Sequence, residues 1–472
     1  MEKRRSMEER HSMEEIIIWG AGKAAVKRYE WAVFAGFQVS LFVDNDATKW
    51  GTTIKEIPVC SPGKLKGCQL TVVLPELYQD EMAAQLEELG FQGRKIGFDQ
   101  FKKEAVCRKE ILIDFSGARI GKETIFVFDS YFTGLNWGGV ESWSCTVANQ
   151  LLKSGAETWV ICGANQKFDE CISACLHFTD ENELETIKEM AVKIAAFLPC
   201  VFVTHGSIAL YAARIVKTIF PDKIKLIAVA HGDESNTYKR LKFWSDKIDK
   251  IVCISEKIHM ELQDRYGLNK DLLVYRPNPI QIPAFAGRRT KHDGTLRVGF
   301  AARLRKEQKR VHLLPEIIEI CMRKMENVEF DIAGEGECME LLLDFVTENH
   351  LENKVHVLGW IPPTETADFW GKEDIYLNIS DFEGMSLAML EAMACGAVPV
   401  VTNVSGVWDV IENGKNGFVV PVERWQEAAE KIECIGRNRE MLLRAGEYNM
   451  KLIRERCNLV DYAKWMMDMF DF

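Results

Sequence analysis

A chain of 472 residues has room for about three domains. Its formal net charge of −11 argues against a general nucleic-acid binder, whose binding face makes the domain basic. No apolar run approaches the roughly 18 residues that span a bilayer, and the charged stretch Met1–Glu15 lacks the apolar core of a signal peptide.

Fourteen cysteines without a CxxC pair read as reduced thiols, which predicts a cytoplasmic protein. Cys171 and Cys175 are i,i+4 neighbours on a predicted helix, with no second Cys/His pair near them in sequence.

Residues 1–15 form a polar tail. Residues 16–108 alternate short apolar strands (Ile16–Trp19, Val39–Val43, Leu70–Leu74) with helical stretches, the pattern of a small doubly wound α/β module. Its first strand runs into Gly20-x-Gly22-x-x-Ala25, and Asp44 ends the second. That is the context of a nucleotide-binding fingerprint, although the third glycine is alanine. The alternative is a degenerate module that only packs or recruits. Asp44-Asn45-Asp46 also matches a metal-binding D-x-D, but no nucleotide-sugar motif accompanies it, and that reading is rejected.

A second α/β unit spans 109–282, with strands at Ile125–Phe128, Thr158–Cys162, Cys200–Thr204, Ile224–Ala230 and Lys250–Ile254. A helix from Val140 to Leu152 follows Gly138-Gly139, and Gly155 stops it. Residues 281–295 break all periodicity and read as a linker. The third unit, 283–458, has strands at Leu296–Ala302, Val328–Ala333, Lys354–Leu358, Asp374–Ile379 and Ala397–Thr402. Short apolar strands without polar alternation predict parallel sheets covered on both faces. A last helix, 459–472, is apolar on one side.

The chemistry concentrates between Asp381 and Gly396. Ser386 is a plausible N-cap, and Gly396 lies just past the predicted helix end. Glu391 sits among Ala388, Met389, Leu390, Ala392 and Met393, where an unpaired carboxylate is costly. A sugar diol would satisfy it; capping by a neighbouring loop or an arginine is the structural alternative. Glu383 precedes the free N–H groups of Gly384, Met385, Ser386 and Leu387, an anion-attracting helix start.

Ligands of open α/β sheets bind beyond the carboxyl ends of strands. Arg303 directly follows the first strand of the third unit and Lys309 lies six residues on, two cations that could neutralise a departing diphosphate. A solvated charged loop is the alternative, with Arg305 and Arg310 as substitutes. Gly138-Gly139 lets backbone approach a ligand, or serves a tight turn. His205 and His231 end strands, and His231 is the better sugar-hydroxyl contact. Gly334-Glu335-Gly336 and Ser405-Gly406 are expected to contribute backbone to a nucleotide pocket.

From about Thr124 to the C-terminus the chain resembles the family 4 retaining glycosyltransferases of group 1 type. The resemblance is carried by Gly138-Gly139-Val140-Glu141, Arg303 with Lys309, Gly334-Glu335-Gly336, Glu383 and Glu391 in E-x7-E spacing, and Asn413-Gly414-Lys415-Asn416-Gly417. It implies a GT-B fold of two facing Rossmann-like domains, here preceded by the small module. By resemblance Glu391 holds the nucleotide ribose, Glu383 contacts the donor sugar and His231 is the cleft histidine. The last helix crosses back to the 109–282 domain.

The activity implied is metal-independent, retaining transfer from a UDP- or GDP-linked sugar, used as substrate with no cofactor. The acceptor would be a carbohydrate or lipid-linked hydroxyl of polysaccharide, cell envelope or glycolipid, which allows peripheral contact with the inner membrane face. A non-catalytic partner subunit, or transfer to a protein, is the alternative.

Overall fold

The computed structural model describes residues 14–108, 113–118, 121, 123–130, 139–163, 172–176, 182–284 and 294–470. The first sheet contains β1 (Glu15–Trp19), β2 (Gln38–Val43), β3 (Thr53–Ile54), β4 (Ile57–Cys60), β5 (Thr71–Leu74) and β6 (Lys95–Gly97). Their order is β3-β4-β2-β1-β5-β6, with every pairing parallel except β3–β4. Ile16, Ile17, Ile18 and Trp19 are all buried, as expected of a strand covered on both faces.

The second sheet contains β7 (Ile125–Ser130), β8 (Thr158–Gly163), β9 (Ile172–Leu176), β10 (Cys200–Thr204), β11 (Ile224–Ala230), β12 (Lys250–Cys253) and β13 (Leu273–Tyr275), ordered β13-β12-β11-β10-β7-β8-β9. β9 corrects one expectation: Cys175 lies in a strand, not a helix, while Cys171 falls outside the described residues. A run of five apolar or small residues carries no helical period of its own, and pairing at the sheet edge decides it.

The third sheet contains β14 (Leu296–Ala301), β15 (Val328–Ala333), β16 (Val355–Gly359), β17 (Ile375–Asn378), β18 (Val398–Thr402) and β19 (Phe418–Val420). All its pairings are parallel, in the order β16-β15-β14-β17-β18-β19. Val298, Ile332, Leu377 and Val400 lie in its core. The winding reverses direction between β14 and β17, and in the second sheet between β7 and β10. Such switch points open a crevice at the carboxyl ends of the strands.

Contacts divide the chain into two compact units. One comprises Met1–Glu123, Leu176–Cys200 and Gly206–Ile224; the other comprises Thr124–Cys175, Val201–His205 and Lys225–Phe472. Within the first, the helices Glu183–Ala195 and Ser207–Ile219 pack with the N-terminal module. Lys27 pairs with Glu183, the Trp31 and Tyr211 rings lie 5.5 Å apart, and Arg214 Nε donates to Cys107 Sγ at 2.9 Å.

Within the second unit, the helix Leu459–Phe470 returns from the third sheet to lie on the helix Gly139–Lys153, with Tyr462 edge-on to Trp143 at 6.0 Å. The crossing is pinned by Ile280 N–H to the Cys457 carbonyl (2.8 Å) and Leu459 N–H to the Ile280 carbonyl (3.2 Å).

The end of the helix Leu387–Ala394 is fixed by a buried amide network. Asn449 Nδ2 donates to the carbonyls of Ala397 and Asn416 (3.0 Å each), and its Oδ1 accepts from Asn416 Nδ2 at 2.8 Å. Asn416 Oδ1 in turn accepts from Glu412 N–H at 2.7 Å, closing the turn after Asn413-Gly414. Asn449→Ala would leave two carbonyls and one amide short of partners in a fully buried place. At about 1–3 kcal/mol per orphaned group, we expect urea unfolding to show a loss of about 2–4 kcal/mol. A loss below ~0.5 kcal/mol would contradict this role.

Candidate active site

Parallel strands place four loops of the third sheet at one edge, and backbone hydrogen bonds lace them together. Ala302 N–H donates to Ala333 O (3.1 Å) and Leu304 N–H to Glu335 O (2.8 Å). Asp381 N–H donates to Gln308 O at 2.8 Å, and Thr402 Oγ1 to Ser380 O at 2.6 Å. The strained turn Gly334-Glu335-Gly336 has φ of +133° and +152° at its glycines. A Cβ at Gly334 would drive into the Ala302 carbonyl, so only glycine fits there.

Lys309 and Glu383, expected from sequence, meet as an ion pair. Ser380 Oγ donates to the same carboxylate oxygen at 2.8 Å, and Gln308 Nε2 reaches the other at 3.5 Å. The pair is largely buried, with side-chain exposures of 15% and 10%. Gln308 and Arg310 both adopt positive φ (65° and 53°), a conformation that non-glycine residues take up at a cost. Arg310 is committed to structure: it pairs with Asp381 at 3.2 Å and donates to the Val422 carbonyl at 2.8 Å. Arg303 meets no carboxylate among the described residues.

Ser386 caps the helix Leu387–Ala394 by accepting from Met389 N–H at 3.3 Å, and Gly396 ends it at φ +88°. The N–H groups of Met385, Ser386 and Leu387 make no hydrogen bond among the described residues, which leaves a cradle for an anion. Glu391 is half-buried on a helix whose neighbouring Met389, Leu390, Ala392 and Met393 are buried. Burial pushes its carboxyl up to about 7, a rise that the nearby Trp370 indole partly opposes.

The loop between Glu383 and Ser386 also touches the second sheet's domain, within the same compact unit. A Cβ at Gly384 would drive into the His231 carbonyl, and Gly406 (φ +77°) packs against Gly384 and Met385. Asn278 Nδ2 donates to Met385 O at 2.9 Å, Ser255 Oγ meets Ser405 Oγ at 2.8 Å, and Glu256 N–H donates to Asp409 at 2.9 Å. Gly139 begins its helix opposite Leu387: a Cβ there would sit 4.0 Å from Leu387 Cδ1. Gly138 lies outside the described residues.

His231 Nε2 lies 2.9 Å from His205 Nδ1, and both rings stand edge-on to Trp143. Burial is the main cause of low basicity in both; His231 falls to about 3.

Sequence reasoning therefore reached Lys309, Glu383, Gly384, Glu391 and His231, which the fold gathers around the two switch points. It missed Asn278, Ser255 and Trp370. Asn278, held between Pro277 and Pro279, carried a local signal; Ser255 and Trp370 matter only through long-range contacts.

Gly20, Gly22 and Asp44 come together in the separate N-terminal module. There Asp44 accepts from Ala21 N–H (2.6 Å), Asp46 N–H (2.8 Å) and Lys49 Nζ (3.1 Å). Burial raises the Asp44 carboxyl, but these donors outweigh it and hold it below the usual carboxylate range. The module's own chain thus supplies three donors to the carboxylate that the fingerprint would turn to a ribose.

The raised Glu391 carboxyl makes stability depend on pH. An unfolded glutamate titrates near 4.5, this one at about 7. Between those values the folded chain keeps a proton that the unfolded chain has lost, so stability falls as pH rises through the window. The loss is complete above it, at about 3 kcal/mol. Glu391→Gln cannot ionise. We expect it to gain stability over the parent at pH 8.5 relative to pH 5 in denaturant titrations without nucleotide; a difference independent of pH would contradict the assignment.

Residues 137–282 match Glycosyltransferase Family 4, and residues 284–452 match glycosyl transferases group 1. An uncharacterized glycosyltransferase of Haemophilus influenzae is 26% identical over 334 residues, 66% of this chain and 90% of that protein. The phosphatidylinositol N-acetylglucosaminyltransferase GPI3 subunit of Saccharomyces cerevisiae is 27% identical over 225 residues, 44% of this chain. The chain spans only about half of that relative's length, 49%. HepE of Anabaena in complex with UDP-glucose superposes with a TM-score of 0.62 at 17% identity, over 73% of this chain and 98% of that one, a likeness of fold. The two family matches meet at the linker and together take up well over half of the chain, which belongs to the group 1, family 4 glycosyltransferases with the GT-B fold.

Proposed function

We propose that the protein is a retaining, metal-independent glycosyltransferase that moves a sugar from a UDP-sugar to a hydroxyl of a carbohydrate or lipid-linked acceptor. The observation that carries this reading is the Lys309–Glu383 pair on the loops that also present the open N–H groups of Met385, Ser386 and Leu387, with Arg303 following the first strand of the same sheet. It offers cations and aligned dipoles where a diphosphate would leave. Glu391 would accept from the ribose hydroxyls and Glu383 would touch the donor ring.

In this mechanism the C1–O bond to the diphosphate breaks and its electron pair passes to the phosphate oxygen, stabilised by Arg303 and Lys309. The acceptor oxygen then attacks from the same face, and its proton goes to the departing phosphate. Contact between the two domains at Gly384 and His231 would exclude water, which competes with the acceptor.

UDP is favoured over GDP because HepE has been seen with UDP-glucose. The yeast subunit is named for N-acetylglucosaminyl transfer to phosphatidylinositol, which supports a lipid-linked acceptor. The cysteines whose side chains are described are free thiols, in keeping with a reducing compartment, and no described helix is long and apolar enough to cross a membrane.

Product NMR should show retained anomeric configuration, and transfer should persist in EDTA. Lys309→Ala should lower kcat by about 10²–10³ through lost leaving-group stabilisation. An inverted product, an absolute manganese requirement or an unchanged kcat in Lys309→Ala would each contradict the mechanism.

A further inference from the structure

Ser144, fully buried in the helix Gly139–Lys153, has its hydroxyl 3.0 Å from the Val140 carbonyl and 2.9 Å from His205 Nε2. His205 Nδ1 is in turn 2.9 Å from His231 Nε2. The direction of every hydrogen bond in this row follows from counting protons. A hydroxyl has one. If Ser144 gave it to His205, two lone-pair oxygens would face each other at 3.0 Å with no proton between them. Giving it to Val140 removes that repulsion, a common arrangement for serine in a helix.

His205 Nε2 must then carry the hydrogen that Ser144 accepts. A neutral imidazole has one N–H, so His205 Nδ1 accepts, His231 Nε2 donates, and His231 Nδ1 is a bare lone pair.

The surroundings hold this pattern. Burial and the nearby Arg240 guanidinium keep both rings neutral. Asp129 takes the backbone N–H of His205 at 2.8 Å. Trp143 stands edge-on to both rings, with centroids 5.2 Å away in each case. His231 Nδ1 has no partner among the described residues, and the His231 carbonyl abuts Gly384, which places the ring at the contact between the two domains.

We propose that Ser144 and His205 are positioning residues that lock His231 in the Nε2–H tautomer, so that Nδ1 is an acceptor which demands a hydroxyl donor from the sugar. The proposal rests on the site being a nucleotide-sugar site, but the tautomer itself does not.

The test is long-range ¹H–¹⁵N correlation NMR on the full chain labelled at histidine, without substrate, with His231 assigned through His231→Gln. We expect Nε2 protonated and Nδ1 bare near neutral pH. Ser144→Ala should let the row reverse, so that a population with Nδ1–H appears at His231. The KM for the donor should rise about tenfold with a smaller change in kcat, the size of one lost hydrogen bond. Ser144→Thr keeps the hydroxyl and should restore both readouts.

A proton on His231 Nδ1, or on both nitrogens, in the parent chain overturns the proposal even if a variant misfolds. So does an unchanged tautomer in Ser144→Ala. If the tautomer is as stated but no UDP-, GDP- or ADP-sugar binds, the assignment of a sugar to Nδ1 and the functional reading both fall, while the lock stands.

Discussion

The site depends on how closely backbone from the two GT-B domains approaches at Gly384. Any side chain there would strike the His231 carbonyl, and the same segment is backed by Gly406, which is crowded by Gly384 and Met385 in turn. At Gly384 glycine is needed for space rather than for dihedral freedom. Because that point is fixed, Glu383 on one side of it and the N-cap Ser386 on the other are held at the domain contact. Asn278, Ser255 and Glu256 add hydrogen bonds at the same seam, each from the second sheet's domain to the third's.

Lys309 and Glu383 satisfy each other in a largely buried place, so an arriving diphosphate would compete for the lysine and leave the carboxylate to a sugar hydroxyl. Glu391 is costly to ionise where it stands, because burial raises its carboxyl. A ribose diol would supply two donors and favour the charged form. Buried groups in such a condition are the ones that gain most from a polar ligand, and cluster at functional sites for that reason.

Much of this was legible in the sequence. Apolar strands without alternation gave the parallel sheets, and the Ser386 and Gly396 boundaries of the Glu391 helix follow from capping chemistry alone. Short strands escaped: β13 and β19 have three residues, too few to carry a period, β4 contains Pro58, and at β9 the i,i+4 spacing of Cys171 and Cys175 suggests a helix instead. The packing of the helices Glu183–Ala195 and Ser207–Ile219 with the N-terminal module was also invisible, since it rests on contacts between distant segments such as Arg214 with Cys107. The partnership of His205 with His231 spans 26 residues and depends on neighbouring parallel strands ending at the same edge. Asp44 shows the converse. Its motif context is visible in the sequence, whereas the three local donors to its carboxylate are not revealed by spacing.

The most direct test of the account is isothermal titration of the full chain with UDP-, GDP- and ADP-sugars. The account predicts saturable binding of one nucleotide-sugar per chain, with a UDP-sugar the tightest and the free sugar alone silent. Absence of saturable binding by any of them would contradict the assignment of this cleft as a nucleotide-sugar site.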